Sequence, residues 1–253
     1  MKNFWTILYL SLFSFLFTYC TPPSSESDGN PPSPSFNLTG SDEKAIALAD
    51  QVMDASGGRK NWDNARFFSW VFAGRRTHYW DKWKGNIRIE SAADSTIYLM
   101  NINTMQGKIQ KAGKIVDDPE QLAELLKNGK SMWINDAYWL VMPFKMKDDG
   151  VTLKYIVQDS TVAGRPAEVI SMTFEKVGDT PDNKYLVYID QESKLVTEWA
   201  FYKDANQDTA NFIMPWNNYQ KYGNLLLSSD RDRLQLTEIS VSENMPDSIF
   251  TDF

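Results

Sequence analysis

The stretch that most constrains the fold is residues 185–202, YLVYIDQESKLVTEWAFY. Two runs of strand-forming residues flank a short polar turn at 190–194, and this pattern predicts a β-hairpin. Because successive side chains of a strand point to opposite sides, strict alternation puts Trp199 on one face of the second arm and Val196 on the other. Both faces of both arms carry apolar residues. Such a hairpin belongs in the middle of a sheet that is covered on both sides.

Composition narrows the class of protein. The 253 residues are 42% hydrophobic and 13% aromatic, which is enough for a sizeable core, and nothing marks a break between two domains. The net charge of −7 argues against nucleic-acid binding, which needs a basic surface. One cysteine excludes an internal disulfide, and one histidine limits any catalytic triad or histidine-rich metal site. No phosphate loop, dinucleotide fingerprint or metal-ligand spacing occurs, so we expect no cofactor and no metal.

The N-terminus has the features of a secretory signal. Lys2 precedes an apolar run at 4–17, which is too short for a comfortable membrane span and predicts a signal peptide at residues 1–19. Cys20 falls where a signal peptidase would cut, and residues 17–20 resemble the lipobox of bacterial lipoproteins, whose cysteine carries acyl chains. The alternative is a plain signal peptide or an anchor helix, with an incidental cysteine. We predict that Cys20 is lipidated and anchors the protein in a membrane of the bacterial cell envelope.

Residues 20–41 separate this anchor from the folded part. The stretch is rich in Pro, Ser and Gly and predicts a flexible linker, so the folded domain is expected at 42–253. Its first helix is predicted at 42–56. A second helix is predicted at 118–129, with Asp118 as N-cap and Gly129 as its end. The apolar stretch 132–143 fits either a helix or a strand, and a polar loop follows at 145–150.

Candidate strands alternate apolar and polar residues or are bounded by turn residues. Besides the two arms of the hairpin, they are 66–73, 75–83, 85–90, 96–102, 108–116, 151–158, 167–175, 224–228 and 235–241.

Large apolar side chains recur at alternate positions of these strands, where they face inward together. One interpretation is an ordinary filled core. The other is an apolar cavity enclosed by a curved sheet and closed by helix 118–129 as a lid, with these side chains as ligand-binding residues. They are Phe68, Trp70, Phe72, Trp80, Tyr98, Met100, Trp199 and Phe201.

His78 is the one candidate for acid–base catalysis. It lies near Arg76 on a predicted strand, and Asp81 is the nearest carboxylate in sequence. A lone histidine in an aromatic strand is more often structural, so we predict no catalytic residue. Acidic pairs at 117–118 and 148–149 lack the alternating ligands of a calcium loop.

Short motifs resemble the LolA/LolB superfamily of outer-membrane lipoprotein carriers and receptors. They are the turn at 188–190 with 195–196 across it, the strand end at 199–202, and Asn244, Pro246, Asp247 and Phe250 of the tail. Residues 133–155 and 185–202 also resemble a group of envelope lipoproteins of this type. The resemblance implies an α+β fold: an incomplete antiparallel β-barrel, or half-barrel, whose open side is covered by helices. It also implies an apolar cavity for acyl chains.

Together these features predict a non-enzymatic lipoprotein of the outer membrane that binds an acyl chain or another apolar ligand in its half-barrel. One alternative is a scaffold with a filled core that assembles with a protein partner. A hydrolase that uses His78 is the other alternative.

Overall fold

A computed structural model describes residues 29–175 and 182–253. It is an α+β structure with two curved antiparallel sheets that do not close into a barrel, together with a few helices, so the predicted fold class is confirmed. The predicted signal peptide at 1–19 and the predicted lipidation site Cys20 lie outside the described residues. In the part that is described, no helix is both long and apolar enough to cross a membrane.

The strands follow the predicted meander closely. In the first half of the chain they are β1 Phe67–Phe72, β2 Arg76–Asp81, β3 Asn86–Ser91, β4 Thr96–Asn101, β5 Gln106–Lys111 and β6 Lys114–Ile115. In the second half they are β7 Val151–Ser160, β8 Pro166–Phe174, β9 Lys184–Asp190, β10 Val196–Tyr202, β11 Phe212–Pro215, β12 Asn217–Tyr222, β13 Leu225–Arg231 and β14 Leu234–Ser242.

These strands form a large and a small sheet. The large sheet has nine strands in the order β12-β13-β14-β1-β2-β3-β4-β5-β6, and the small sheet has five in the order β11-β10-β9-β8-β7. Strand β14 pairs with β1, so the last strand of the chain completes the sheet that the first one begins. The predicted hairpin is β9–β10 and lies inside the small sheet, between β8 and β11.

The second arm of this hairpin departs from strict alternation. The register of β9 against β10 shifts between Val196 and Glu198, which is a β-bulge. Val196 is therefore opposite Ile189 and lies in the same buried cluster as Trp199, whereas alternation placed the two side chains on opposite faces. The prediction for Val196 was wrong because the register shift at the bulge reverses the face of the sheet to which the following side chains point.

In the described residues, four α-helices accompany the sheets: α1 Glu43–Ala55, α2 Arg59–Asn64, α3 Pro119–Val141 and α4 Ser248–Thr251. Helix α3 begins as predicted, because the Asp118 carboxylate accepts a hydrogen bond from the Gln121 N–H at 2.8 Å. It does not end at Gly129 but continues through the stretch that fitted a helix or a strand. A Cβ at Gly129 would lie 2.9 Å from Tyr98 Cδ1 and 3.0 Å from Met100 Sδ, so this glycine permits close packing on β4.

Two strands in the second half were not predicted. Strand β11 ends at Pro215, and β12 follows after Trp216. Proline has no N–H to donate and is confined to sheet edges, and β11 is indeed an edge strand of the small sheet. Strand β12, an edge strand of the large sheet, was not predicted because its sequence is polar.

The core consists of two clusters. The first packs the inner face of the large sheet against α3, with Phe68, Trp70, Ile89 and Tyr98 all below 5% exposed. The second packs the inner face of the small sheet against α1, and its large side chains include Trp199 and Trp216. Because α3 lies against both sheets, its second half forms the boundary between the two clusters.

A segment before α1 runs along the first half of β7. The Ser33 N–H donates to Lys147 O at 2.9 Å, and the Asn37 N–H donates to Val151 O at 3.0 Å. Phe36 is 7% exposed and belongs to the second cluster. The end of the stretch predicted as a linker therefore packs against the domain.

Candidate functional site

A cavity of about 630 Å³ lies between the second half of α3 and the small sheet. This volume falls within the range of small-molecule sites, roughly 300–1,000 Å³. Aromatic side chains make nearly half of its lining. They are Trp80, Trp133, Tyr138, Trp139, Phe174, Tyr185, Trp199, Phe201 and Phe212.

Helix α3 supplies one wall by its periodicity. Trp133, Ala137, Tyr138 and Val141 all line the cavity, and their spacing of about one helical turn keeps them on one side of the helix. Within the described chain, the contribution of α3 to the cavity begins at Ser131. The helix residues 118–129, which were expected to form a lid, instead contribute to the first core cluster through Leu126 and Gly129.

The opposite wall is the inner face of the small sheet, where rings contact one another from strand to strand. Tyr185 and Trp199 are stacked with centroids 4.9 Å apart, and so are Phe201 and Phe212 at 4.9 Å. Trp139 of α3 meets the edge of Trp199 at 4.8 Å. Since each ring is held by its neighbours, the wall is a fixed aromatic surface.

The charged side chains that line the cavity in the described chain lie in the loop that follows α3. Lys145 forms an ion pair with Asp148. Asp149 accepts hydrogen bonds from the Ser35 N–H at 2.9 Å and from the Ser35 hydroxyl at 2.6 Å, and these bonds lower the pKa of its carboxyl. The cavity thus has an apolar aromatic body and a polar margin in which the charged groups already have partners.

The predicted ligand-binding residues divide into two groups. Trp80, Trp199 and Phe201 line the cavity. The other five lie in the first core cluster, where the first half of α3 covers the large sheet, and the structure does not bring them to the cavity. They are Phe68, Trp70, Phe72, Tyr98 and Met100. A role in binding stays a prediction for all eight.

Several cavity residues were missed from the sequence. Trp133, Tyr138 and Trp139 belong to the stretch whose helical or extended state was open, and Phe212 belongs to the unpredicted β11. The helical spacing of Trp133, Ala137 and Val141 was the signal that could have identified the α3 residues. Phe212 had no comparable signal, because its strand has only four residues.

His78 has a carboxylate partner that is distant from it in the sequence. Its Nε2 lies 2.7 Å from Asp136 Oδ2, and the same carboxylate accepts from Arg76 Nε at 2.6 Å and Nη2 at 2.8 Å. Asp81, the neighbour in sequence, instead binds Arg66 at 2.8 Å. Asp136 belongs to α3 and Arg76 and His78 belong to β2, so this cluster joins the helix to the large sheet.

The cluster is buried, and burial decides the charge of the histidine. Burial lowers the pKa of His78 and outweighs the opposing effect of the hydrogen bond that His78 donates to Asp136, whose charge is already matched by Arg76. Burial raises the pKa of Asp136, but the hydrogen bonds from His78 and Arg76 bring it below its usual value. His78 is therefore neutral, and Nε2 carries the proton because an ionised carboxylate can only accept. Its ring is stacked on Trp70 at 4.6 Å, outside the residues that line the cavity.

Residues 29–175 and 182–253 contain no group of three or more His, Cys, Asp or Glu side chains that could hold a metal ion. The acidic pairs noted in the sequence have other contacts instead. Asp118 caps α3, and Asp148 and Asp149 bind Lys145 and Ser35.

Comparisons with known proteins identify similar solved structures. A DUF1329 family protein from Desulfovibrio piger is 12% identical, with 81% of this chain and 96% of that chain covered and a TM-score of 0.43. A LolA superfamily protein from Nitrosomonas europaea is 11% identical, with the same coverage of 81% and 96% and a TM-score of 0.43. An outer membrane lipoprotein-sorting protein domain from Vibrio parahaemolyticus is 7% identical, with 82% and 96% covered and a TM-score of 0.41.

No protein-family model and no curated protein matches the sequence. One of these solved structures is described as a LolA superfamily protein, the superfamily that the short motifs resemble. With identities of 7–12% and TM-scores below 0.5, these neighbours do not tell what this chain binds.

Proposed function

We propose that this protein is a non-enzymatic lipoprotein of the bacterial outer membrane that binds an acyl chain or another apolar ligand. The observation that carries the proposal is the cavity of about 630 Å³ with its aromatic wall. Packed cores leave few voids larger than a water molecule, so a volume of this size supports a binding site more than a filled scaffold.

The state of the only histidine supports a role without catalysis. His78 is fully buried, neutral and held by Asp136, and it does not line the cavity. A general base must reach the proton that it removes, directly or through one water. A hydrolase that uses His78 therefore has no support in the geometry of the described residues.

The anchor at Cys20 is part of the same proposal. The packed segment begins by Ser33, so 13 residue steps (33 − 20) separate the anchor from the domain. At about 3.5 Å per residue they reach at most ~45 Å, which would keep the domain close to the membrane. Wild-type cells should incorporate labelled fatty acid into the protein, and Cys20→Ala should abolish it. An unlabelled, freely soluble wild-type protein would contradict the anchor.

Ligand binding is tested with the purified, delipidated full-length chain. Decanoate and its methyl ester are titrated while tryptophan emission is recorded. Trp80, Trp133, Trp139 and Trp199 line the cavity, so a bound ligand should quench or blue-shift the emission until the signal saturates. A chain that responds to neither ligand would contradict the proposed function.

Two variants on one helix locate the site. Ser131 and Asn128 are both exposed on α3, but only Ser131 lines the cavity. Ser131→Phe should narrow the cavity and weaken binding of both ligands at least about tenfold, which corresponds to roughly 1.4 kcal/mol. Asn128→Phe adds the same ring outside the cavity and should bind as the wild type does. Equal effects of the two variants would place the binding site elsewhere.

A further inference from the structure

Charge is distributed unevenly over this acidic protein. The whole chain has a net charge of −7, yet residues 59–66 and 81–84 hold five basic and two acidic side chains, a local charge of +3. Six of these residues form a surface that we call the basic patch. They are Arg59, Lys60, Arg66, Lys82, Trp83 and Lys84.

Contacts between α2 and the turn that joins β2 to β3 make the patch one surface. Both parts meet at the backbone oxygen of Asp63, which accepts from Trp83 Nε1 at 2.9 Å and from Lys82 Nζ at 3.3 Å. The Arg66 guanidinium lies 5.2 Å from the centroid of the Trp83 ring. The basic groups and the indole are therefore held side by side.

The patch keeps cations without an acidic partner. Arg59 is paired with Asp63 and Arg66 with Asp81, so the two acids of these segments are used. The pKa of Arg66 is raised, chiefly by its hydrogen bond to Asp81 and to a smaller extent by the charge of Asp247, and with Asp247 counted the local charge is still positive.

Three lysines remain. Within residues 29–175 and 182–253, Lys60, Lys82 and Lys84 form no ion pair. Lys60 and Lys84 are exposed. Burial lowers the pKa of Lys82 to about 8, so this lysine is still largely charged at neutral pH. An anionic surface would supply the partners that these ammonium groups lack.

Trp83 adds an apolar group with a polar edge. Its side chain is 57% exposed, whereas the other tryptophans of the described chain are buried or half-buried. Because its N–H already donates to Asp63, what faces water is the apolar part of the ring. Tryptophan is enriched at the boundary between membrane and water, where its amphipathic ring lies at the level of the headgroups.

The patch lies close to both the cavity and the start of the folded chain. Arg59 Nη1 donates to Pro31 O at 3.2 Å, in the segment that leads towards the predicted anchor. Trp62 of α2 stacks on Phe144 at 4.6 Å, and Phe144 is followed by Lys145, which lines the cavity. A surface bound to the basic patch would therefore be near the polar margin of the cavity.

From these observations we infer that the basic patch docks on an anionic lipid surface, with the lysines against lipid phosphates and the Trp83 ring among the headgroups. Each basic residue next to an anionic membrane contributes to binding, even in a protein whose total charge is negative, because the attraction falls off within a Debye length. Docking in this orientation brings the cavity to the membrane. The inference goes beyond the proposed function and does not depend on what the cavity binds.

The first test is sedimentation of the delipidated full-length chain with vesicles. One set contains equal parts of phosphatidylglycerol and phosphatidylcholine, and the other contains phosphatidylcholine alone. The anionic vesicles should bind the chain at least about tenfold more tightly at low salt, and the difference should shrink as salt is added. Equal binding to the two sets, or no binding to either, would overturn the inference.

Paired lysine variants locate the contact. Lys60→Gln combined with Lys84→Gln should weaken binding to the anionic vesicles about 10- to 30-fold. Lys111→Gln combined with Lys114→Gln is the matched control. It removes the same charge from exposed residues at the opposite end of the strands, because Lys111 pairs with Thr96 whereas the turn at 82–85 adjoins the pair of Asn86 with Asn101. Equal losses for the two double variants would refute docking through the patch.

The indole is tested separately. Trp83→Ala should weaken binding to anionic vesicles at least about threefold, because the apolar part of the ring leaves water on docking. Trp83→Phe should remove part of the blue shift in tryptophan emission that the vesicles cause. A blue shift and an affinity that are the same as in the wild type would contradict the insertion of Trp83.

Two controls exclude other occupants. Ser131→Phe narrows the cavity and should bind vesicles as the wild type does; a loss as large as that of the Lys60/Lys84 variant would show that lipid enters the cavity instead, and would overturn the inference. Polyglutamate represents an acidic protein partner. If it binds through Lys60 and Lys84 while the vesicles do not bind, the patch recognises an acidic protein and the lipid surface is wrong.

Discussion

Replacement of Asp136 by Asn tests the link between α3 and the large sheet. Asp136 Oδ2 accepts from Arg76 Nε at 2.6 Å and from His78 Nε2 at 2.7 Å, while Oδ1 accepts from Arg76 Nη2 at 2.8 Å and from Asn135 Nδ2 at 2.9 Å. An asparagine keeps only one of the two acceptor oxygens. In either orientation its amide NH₂ faces another donor, and the negative charge is lost.

The magnitude follows from burial. Loss of one partner from a buried ion pair costs about 3–5 kcal/mol, since the remaining charge stays without compensation. Here the Arg76 side chain is 23% exposed and Asp136 is 0% exposed, so the guanidinium regains part of its hydration. We therefore expect a loss of about 3 kcal/mol in the free energy of unfolding, at the lower end of that range.

Urea titration measures this loss, with an unchanged slope as evidence that the folded state is intact. Asp63→Asn is the matched control, because Asp63 also binds an arginine, Arg59, at 2.8 Å, but in an exposed pair. Exposed pairs at this spacing contribute only about 0.3–0.5 kcal/mol. A loss below about 1 kcal/mol for Asp136→Asn, or equal losses for both variants, would refute the reasoning.

Three further changes test other parts of the structure. Burial lowers the pKa of His78 in the folded chain, so as the pH falls below about 6.5 the unfolded state binds a proton before the folded state does, and stability should fall by up to about 1.4 kcal/mol per pH unit. Urea titrations from pH 7 to 5 should show this fall in the wild type but not in His78→Gln, and the same fall in both would contradict it. Gly129→Val should lower the free energy of unfolding by about 1–3 kcal/mol because the valine side chain would overlap Tyr98, whereas Asn128→Val, at an exposed residue, should lower it by less than about 1 kcal/mol. Equal losses would contradict the close packing at Gly129. Phe36→Ala should lower the free energy of unfolding by about 3–5 kcal/mol, measured by thermal or urea unfolding, and Leu38→Ala, at a 58% exposed residue, should lower it by less than about 0.5 kcal/mol. A small loss for both variants would contradict the packing of segment 33–40 against the domain.

Local sequence patterns predicted the helices and strands well, because interactions between residues close in the sequence determine them. The β9–β10 hairpin follows from strand-forming residues around a polar turn, and the start of α3 follows from the Asp118 cap. The end of α3 did not follow from Gly129. A glycine inside a helix can serve close tertiary packing and need not end the helix. Here Tyr98 and Met100 approach the helix at that residue. Such an approach depends on residues about 30 positions away in the chain.

The candidate site was harder to predict, because alternation reports which side chains face inward and does not report what they meet. Trp70 and Trp199 have the same pattern in the sequence. The first is stacked on His78 inside the first core cluster, and the second borders open volume next to Tyr185. Likewise, Asp136 lies 58 residues from His78, so no short motif could pair them.

Photochemical crosslinking is the most direct test of the claim that the cavity holds the ligand. The delipidated chain is incubated with a decanoate methyl ester that carries a photoreactive group at its far end, irradiated, digested and mapped by mass spectrometry. The account predicts saturable labelling of peptides that contain residues 131–141 of α3 and 199–212 of the small sheet, with little labelling after Ser131→Phe. Labelling confined to the first core cluster around Phe68 and Tyr98, or spread over the surface and insensitive to Ser131→Phe, would contradict it.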